Sequence, residues 1–324
     1  MSAVQAKILK ELLADGRQTD REIAKKIGET KEIVKQNFGK MEEMGIITGA
    51  TTHINYKSFG NKAIAQILLT VDPQQEDQLF NYLQKMPGLY SFYSRGVKGN
   101  FGVVAILKTL EGLNVIKNEF KRCFSILEMR TAIWTDVKEM NYNLTITSDN
   151  AEKGNEVANY QVKARRSSHQ PMNLDQTDSE IADKLSENGR VSMETLGKKI
   201  GISSDTAKRR YEKLKKNGVL KVTIQVNPSK IGYQALCIFF TVTSHENSFG
   251  IIEKIAMIPD VISIMKTTGD YDLQIYAMVK DIGQFLSIQE QLGKVQGITK
   301  MDAEISSLER WEKWPSPRQH ISTF

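Results

Sequence analysis

The sequence predicts an α+β protein in which one composite unit, a bundle of short helices followed by a βαββαβ layer, occurs twice in a single chain. Three observations predict it. Residues 13 to 47, "LADGRQTDREIAKKIGETKEIVKQNFGKMEEMGII", and 185 to 220, "LSENGRVSMETLGKKIGISSDTAKRRYEKLKKNGVL", share Gly-Arg, Lys-Lys-Ile-Gly and a late glycine at matching offsets. After each block the same order of strand and helix signals follows. Between the halves, residues 145 to 176 are polar and without sustained period, as a linker is.

A chain of 324 residues with 40% hydrophobic content can bury more than one core. A formal charge of +6 and a pI near 9.0 favour an anionic partner only where the cations cluster. The amino terminus interleaves charges with its apolar positions, unlike a secretory signal, and no apolar run reaches membrane-spanning length. A cytoplasmic protein with no membrane partner is expected. Cys123 and Cys237 stand beside apolar residues and read as buried free thiols.

In the second helical block, a capping box from Thr177 to Glu180 opens a first helix. A short helix over 192 to 200 follows and meets the next across a turn at Gly201. That next helix starts at a Ser203 or Ser204 cap and closes at Gly218. At 100° per residue, Ala207, Tyr211 and Leu214 share one face and Arg209, Lys213 and Lys216 the opposite one, with Lys208, Arg210 and Lys215 on the flanks. Three short helices, the last two joined by a glycine turn, make a helix-turn-helix, and "LKVTIQV" supplies a wing. Such a helix fits the major groove, where Arg pairs with guanine and Lys with phosphate. A solvated basic face would carry the same residues. The duplicated frame favours duplex DNA as the partner, with Ser204, Lys208, Arg209, Arg210, Lys213, Lys216, Lys198 and Lys199 as its contacts.

In the first block Val34, Phe38 and Met41 form the matching stripe, but the outward face holds Glu32, Gln36, Lys40 and Glu43. Two acids replace cations, so attraction to phosphate is weaker. Gln36 and Asn37 suit adenine edges, and Lys25, Lys26, Lys31, Lys35 and Lys40 suit the backbone.

The strand and helix signals run "AIAQILLTV", "DQLFNYLQKMP", "LYSFYS", "FGVVAIL", "EGLNVIKNEFKR" and "ILEMRTAIWTDV" in the first half. In the second they run "QALCIFFTV", "FGIIEKIAMIP", "VISIMKT", "DLQIYAMV", "IGQFLSIQEQLG" and "ITKMDAEISSL". Each series reads as a ferredoxin-like βαββαβ layer with two helices on one sheet face. The expected division is a winged helix-turn-helix over 1–57, a ferredoxin-like domain over 58–144, the linker, a second winged helix-turn-helix over 177–230, a second ferredoxin-like domain over 231–314 and a tail over 315–324. Each sheet has a face free of helices, and a homo-oligomer is expected from those faces.

Helix-turn-helix plus βαββαβ, with "SSDTAKRRYEKLKKNGVL" and "TTGDYDLQIYAMVKD", resembles the Lrp/AsnC (feast/famine) family of transcription regulators. The resemblance covers nearly everything except linker and tail. It implies a sequence-specific DNA-binding regulator, regulatory domains of the RAM type, and pairing through the sheets as a covalent pseudo-dimer. An amino-acid effector is implied too. In the second half the loop Thr267, Thr268, Gly269, Asp270, Tyr271, Asp272 offers amides for a carboxylate and acids for an ammonium group, though a plain hairpin turn uses the same residues. The first half has "GVKGNFG" over 96 to 102, with Asn100 and Gly102 read as the counterparts of Asp270 and Asp272. The first half also lacks the family's paired Arg.

His53, His169, His245 and His320 are scattered, and no Cys-x-x-Cys or His-x-x-x-His occurs, so neither metal nor cofactor is expected. Sirohaem decarboxylases share this pair of folds, but their chemistry needs cationic and His side chains converging on an anionic tetrapyrrole, and the sequence favours a non-enzyme. A sensor or scaffold without DNA binding is the remaining alternative, which a flat salt dependence would mark.

Overall fold

The computed structural model describes residues 1–60, 63–86, 89–94, 100–140, 143–146, 173–244, 248–308 and 314–315. Most of the expected linker, most of the tail, the "GVKG" stretch, His169, His245, His320 and Trp311 lie outside them. Two compact units emerge, and each draws on both halves of the sequence. One gathers Met1–Gly60 with Thr145–Ile231; the other gathers Asn61–Leu144 with Gly232–Arg310. Among the described residues no helix is long and apolar enough to cross a membrane.

The first unit holds α1 (Ala3–Ala14), α2 (Asp20–Ile27), α3 (Lys31–Glu43) and β1 (Ile47–Ile54) of the first copy. The second copy supplies α6 (Gln176–Glu187), α7 (Met193–Ile200), α8 (Ser204–Lys216) and β6 (Leu220–Val226). Helices α2 and α7 end at Gly28 and Gly201 with φ of 76° and 74°, a left-handed turn that glycine adopts without strain. The box that opens α6 is Asp175 with Asp178, not Thr177 with Glu180. Asp175 accepts the Asp178 amide and Asp178 accepts the Asp175 amide, because the helix begins two residues earlier than the Thr-x-x-Glu pattern suggested.

The wing strands do not fold back on their own bundles. Strand β6 pairs antiparallel with β1 of the other copy, Thr51 facing Thr223, into a two-stranded ribbon. The ribbon then ties each bundle to the other copy's strand. Thr223 Oγ1 donates to Leu13 O at 2.9 Å, and Thr52 Oγ1 donates to Leu185 O at 2.8 Å. Both threonines are fully buried, so these bonds satisfy hydroxyls that water cannot reach.

The second unit holds β2 (Ala63–Val71), α4 (Glu76–Lys85), β3 (Leu89–Ser94), β4 (Asn100–Leu107), α5 (Glu111–Cys123) and β5 (Ile126–Glu139). The other half adds β7 (Ala235–Thr243), α9 (Ser248–Ala256), β8 (Val261–Thr268), β9 (Leu273–Val279), α10 (Ile282–Gly293) and β10 (Ile298–Ser307). All eight strands join one antiparallel sheet in the order β10-β7-β9-β8-β5-β2-β4-β3, the halves meeting at β5 and β8. Alternation along the strands separates two kinds of face. Ala65, Ile67, Leu69, Phe101 and Val103 pack with Leu79, Leu83, Ile116 and Phe120 of the helices; Phe239, Ile275 and Ala277 do the same with Ile255, Ile288 and Leu292.

The helix-free faces are not open. Gln66 on β2 donates to Tyr276 Oη on β9 at 3.1 Å and accepts from Gln274 Nε2 at 2.6 Å, while Trp134 on β5 meets Tyr276 edge-on at 6.3 Å. Gln66, Gln274 and Trp134 are all buried. The helix-free faces of the two halves therefore meet within the chain. Cys237 is buried, its thiol pushed up to about 12 by desolvation, but Cys123 is exposed at the end of α5, contrary to the sequence reading.

Candidate nucleic-acid interface

Helix α8 starts at a Ser203 cap, whose Oγ accepts the Thr206 amide at 3.2 Å, leaving Ser204 exposed in the first turn. Ala207, Tyr211 and Leu214 are buried beneath it. Lys208, Arg209, Lys213 and Lys216 are exposed and make no ion pair among the described residues. Lys199 is exposed on α7, and Lys198 beside it makes a solvated i,i+4 pair with Glu194 at 2.7 Å. Such pairs contribute about 0.3–0.5 kcal/mol and exchange readily for another anion.

Arg210 behaves differently from its neighbours. Its Nη1 lies 2.8 Å from Asp175 Oδ2 and 2.9 Å from Asp178 Oδ1, so its guanidinium clamps α8 onto the capping box of α6. Asp178 is nearly fully buried. The Asp175 carboxyl is held below its usual range, first by the Asp178 amide and then by Arg210. In the first copy the corresponding box is neutral, Ser2 with Gln5, and Asn37 stands where Arg210 does. The cation accompanies the two acids and is absent where they are absent. The sequence reading of Arg210 as a groove contact missed this because its partners lie on another helix.

Helix α3 is capped by Thr30 and buries Val34 and Met41. Lys31, Lys35, Gln36 and Lys40 are exposed, interspersed with exposed Glu32, Glu42 and Glu43. Asn37 is half-buried and its Nδ2 donates to Ile33 O at 2.9 Å, so one of its amide hydrogens serves the helix backbone.

Residues that the sequence left without a role appear at the junction of the two copies. Arg17 Nη1 donates to Gly189 O at 2.7 Å and Val191 O at 2.9 Å, and Arg190 Nη1 donates to Gly16 O at 2.7 Å. The repeated Gly-Arg is thus a reciprocal clasp. A Cβ on Gly16 would stand 2.8 Å from the Thr223 carbonyl carbon, and one on Gly189 would stand 2.8 Å from Thr51 O. Burial lowers the pKa of Arg17 and raises that of Tyr211 against which it lies.

In the second unit, the loop between β8 and β9 is closed on itself. Gly269 has φ of 116°, and Thr268 and Asp270 are exposed. Asp272 Oδ2 accepts the Thr243 amide at 2.7 Å, Thr267 Oγ1 donates to Tyr271 O at 2.6 Å, and Tyr271 Oη donates to Asp302 Oδ2 at 2.5 Å. Asp272 therefore anchors the hairpin to the end of β7 through Oδ2 of an exposed carboxylate. The strand registers also correct the comparison of the halves: Leu273 and Phe101 occupy equivalent positions, which puts Asn100, not Gly102, in the place of Asp272.

Two cross-braced helix-turn-helix bundles with one strongly cationic groove helix, carried with a pair of ferredoxin-like layers, define a DNA-binding regulator. Known proteins agree. An AsnC-type helix-turn-helix domain matches residues 174–215, an Lrp/AsnC ligand binding domain matches 236–311, and a winged helix-turn-helix DNA-binding domain matches 1–48. The transcriptional regulator LrpA of Pyrococcus horikoshii is 30% identical over 131 residues, covering 40% of this chain and 92% of its own. Regulator FL11 of Pyrococcus furiosus is 26% identical over 126 residues, covering 39% of this chain and 83% of its own. Over 94% of this chain and 90% of its own, the siroheme decarboxylase NirDL shares the fold with a TM-score of 0.59 at 16% identity. The chain belongs to the Lrp/AsnC family of transcription regulators, with the helix-turn-helix present twice.

Proposed function

We propose that this regulator recognises an asymmetric duplex site, with α8 as the principal reading helix and α3 as the weaker one. The observation that carries it is the contrast between their exposed faces. On α8 the exposed cations Lys208, Arg209, Lys213 and Lys216 outnumber the exposed acids Asp205 and Glu212, whereas on α3 Lys31, Lys35 and Lys40 are matched by Glu32, Glu42 and Glu43. Arg209 suits a guanine edge, Gln36 an adenine edge, and the lysines the phosphates. Two different helices joined in one chain are free of the two-fold constraint that identical subunits impose.

The second-unit loop Thr267–Asp272 is the proposed effector site, a reading supported by the exposure of Thr268, Gly269, Asp270 and Asp272. A non-catalytic role is supported by the naming of the matched relatives as transcriptional regulators; the likeness to the decarboxylase is one of fold. Selection of sites from random DNA, followed by footprinting with Arg209→Glu/Lys213→Glu and with Gln36→Ala/Lys40→Ala, tests the reading. Unequal halves with a larger loss from the α8 variant are expected. A perfectly two-fold site losing equally to both variants would overturn it.

A further inference from the structure

We infer that each groove-reading helix is aimed by the opposite copy: Arg17 of the first copy positions α8, and Arg190 of the second positions α3. The inference rests on the DNA-binding reading above. Arg17 lies in the connection from α1 to α2, far in sequence from α8, yet its guanidinium carbon stands 5.2 Å from the centre of the Tyr211 ring. Arg190 occupies the equivalent place between α6 and α7 and stands 4.8 Å from the centre of Phe38 on α3. Each aromatic belongs to the stripe beneath its helix, so each arginine grips the side turned from the proposed DNA face.

The same two guanidiniums hold main-chain carbonyls across the junction: Gly189 and Val191 for Arg17, Gly16 for Arg190. A cation bonded to the other copy's backbone and stacked on its reading helix transmits orientation from one copy to the other. The brace is stronger on the α8 side. Lys215 of α8 pairs with Asp15 of the first copy at 2.8 Å and also lies over Tyr211, whereas the equivalent positions, Glu42 and Asn188, hold no ion pair with each other. Thus the helix with the denser cationic face is also the one held by more cross-copy contacts.

The experiment uses the full chain on a selected site, comparing Arg17→Ala, Arg17→Lys, Arg190→Ala and Lys213→Ala by footprinting, by salt titration and by amide hydrogen exchange of the free protein. Arg17→Ala is expected to lose protection in the part of the site assigned to α8 by Lys213→Ala, with affinity falling roughly tenfold. Its salt slope should stay that of the wild type, because Arg17 touches no phosphate, while Lys213→Ala should lower the slope by about 0.9. Arg190→Ala should affect the α3 part, and Arg17→Lys should restore protection in part by keeping a charge over Tyr211. Hydrogen exchange should quicken in α8 for Arg17→Ala and in α3 for Arg190→Ala.

Loss confined to each variant's own half, or spread evenly over both halves and both helices, would overturn the inference. Absence of any wild-type protection would instead overturn the DNA-binding reading, with hydrogen exchange alone then deciding whether the crossed brace exists.

Discussion

Arg210 shows how one guanidinium changes meaning once its partners are known. Replacing it with alanine leaves the buried Asp178 without its counter-charge, and a loss of about 2 kcal/mol in urea denaturation is expected. Arg209→Ala, one position earlier and exposed, should leave stability within about 0.5 kcal/mol and act on DNA affinity instead. The pairing also sets an acid limit. Because the folded-state pKa of Asp175 lies below its ordinary 3.8, the contribution is complete above that value and is lost as pH falls below it through the lower, folded value. Asp175→Asn should flatten the acid limb of a stability-versus-pH curve, while leaving the neutral limb unchanged in shape.

At the level of elements, packing between the two halves of the eight-stranded sheet depends on a polar contact set in an apolar surround. Gln66→Ala removes the acceptor of the buried Gln274 amide, and a cost of about 1–3 kcal/mol by thermal or chemical unfolding is expected. The positions equivalent to these glutamines in the opposite half are Ile238 and Gly102, so the polar contact is made once and not twice. A half paired with a copy of itself would bury glutamines against apolar groups, which favours the pairing of unlike halves. The ribbon of β1 and β6 is equally selective. Thr52→Val is expected to weaken the hold of α6 by about 1 kcal/mol, since Leu185 O then loses a bond that no water can replace.

For the molecule as a whole, both compact units are built from both halves of the chain. Covalent continuity is therefore not what keeps the halves together. Cleavage by a protease site engineered within 147–172 should yield two pieces that co-elute in gel filtration at neutral pH and still bind the selected DNA. Separation into two folded pieces would contradict the exchange of strands across the ribbon and the shared sheet.

Local pattern was enough for the sequence to determine the composite unit, its duplication, the buried stripe of Ala207, Tyr211 and Leu214, and the cationic side of α8, because helical and strand periodicities are set by neighbours a few residues apart. Charge on a helix surface is likewise a local property. The partners of Arg210, Asp272, Arg17 and Arg190, and the pairing of β1 with β6, were decided only by the tertiary structure. A flanking cation looks the same in sequence whether it faces a phosphate or an aspartate on another helix. Long-range pairing depends on which surfaces meet, and the repeated Gly-Arg signalled that something was shared without saying that each copy spends it on the other.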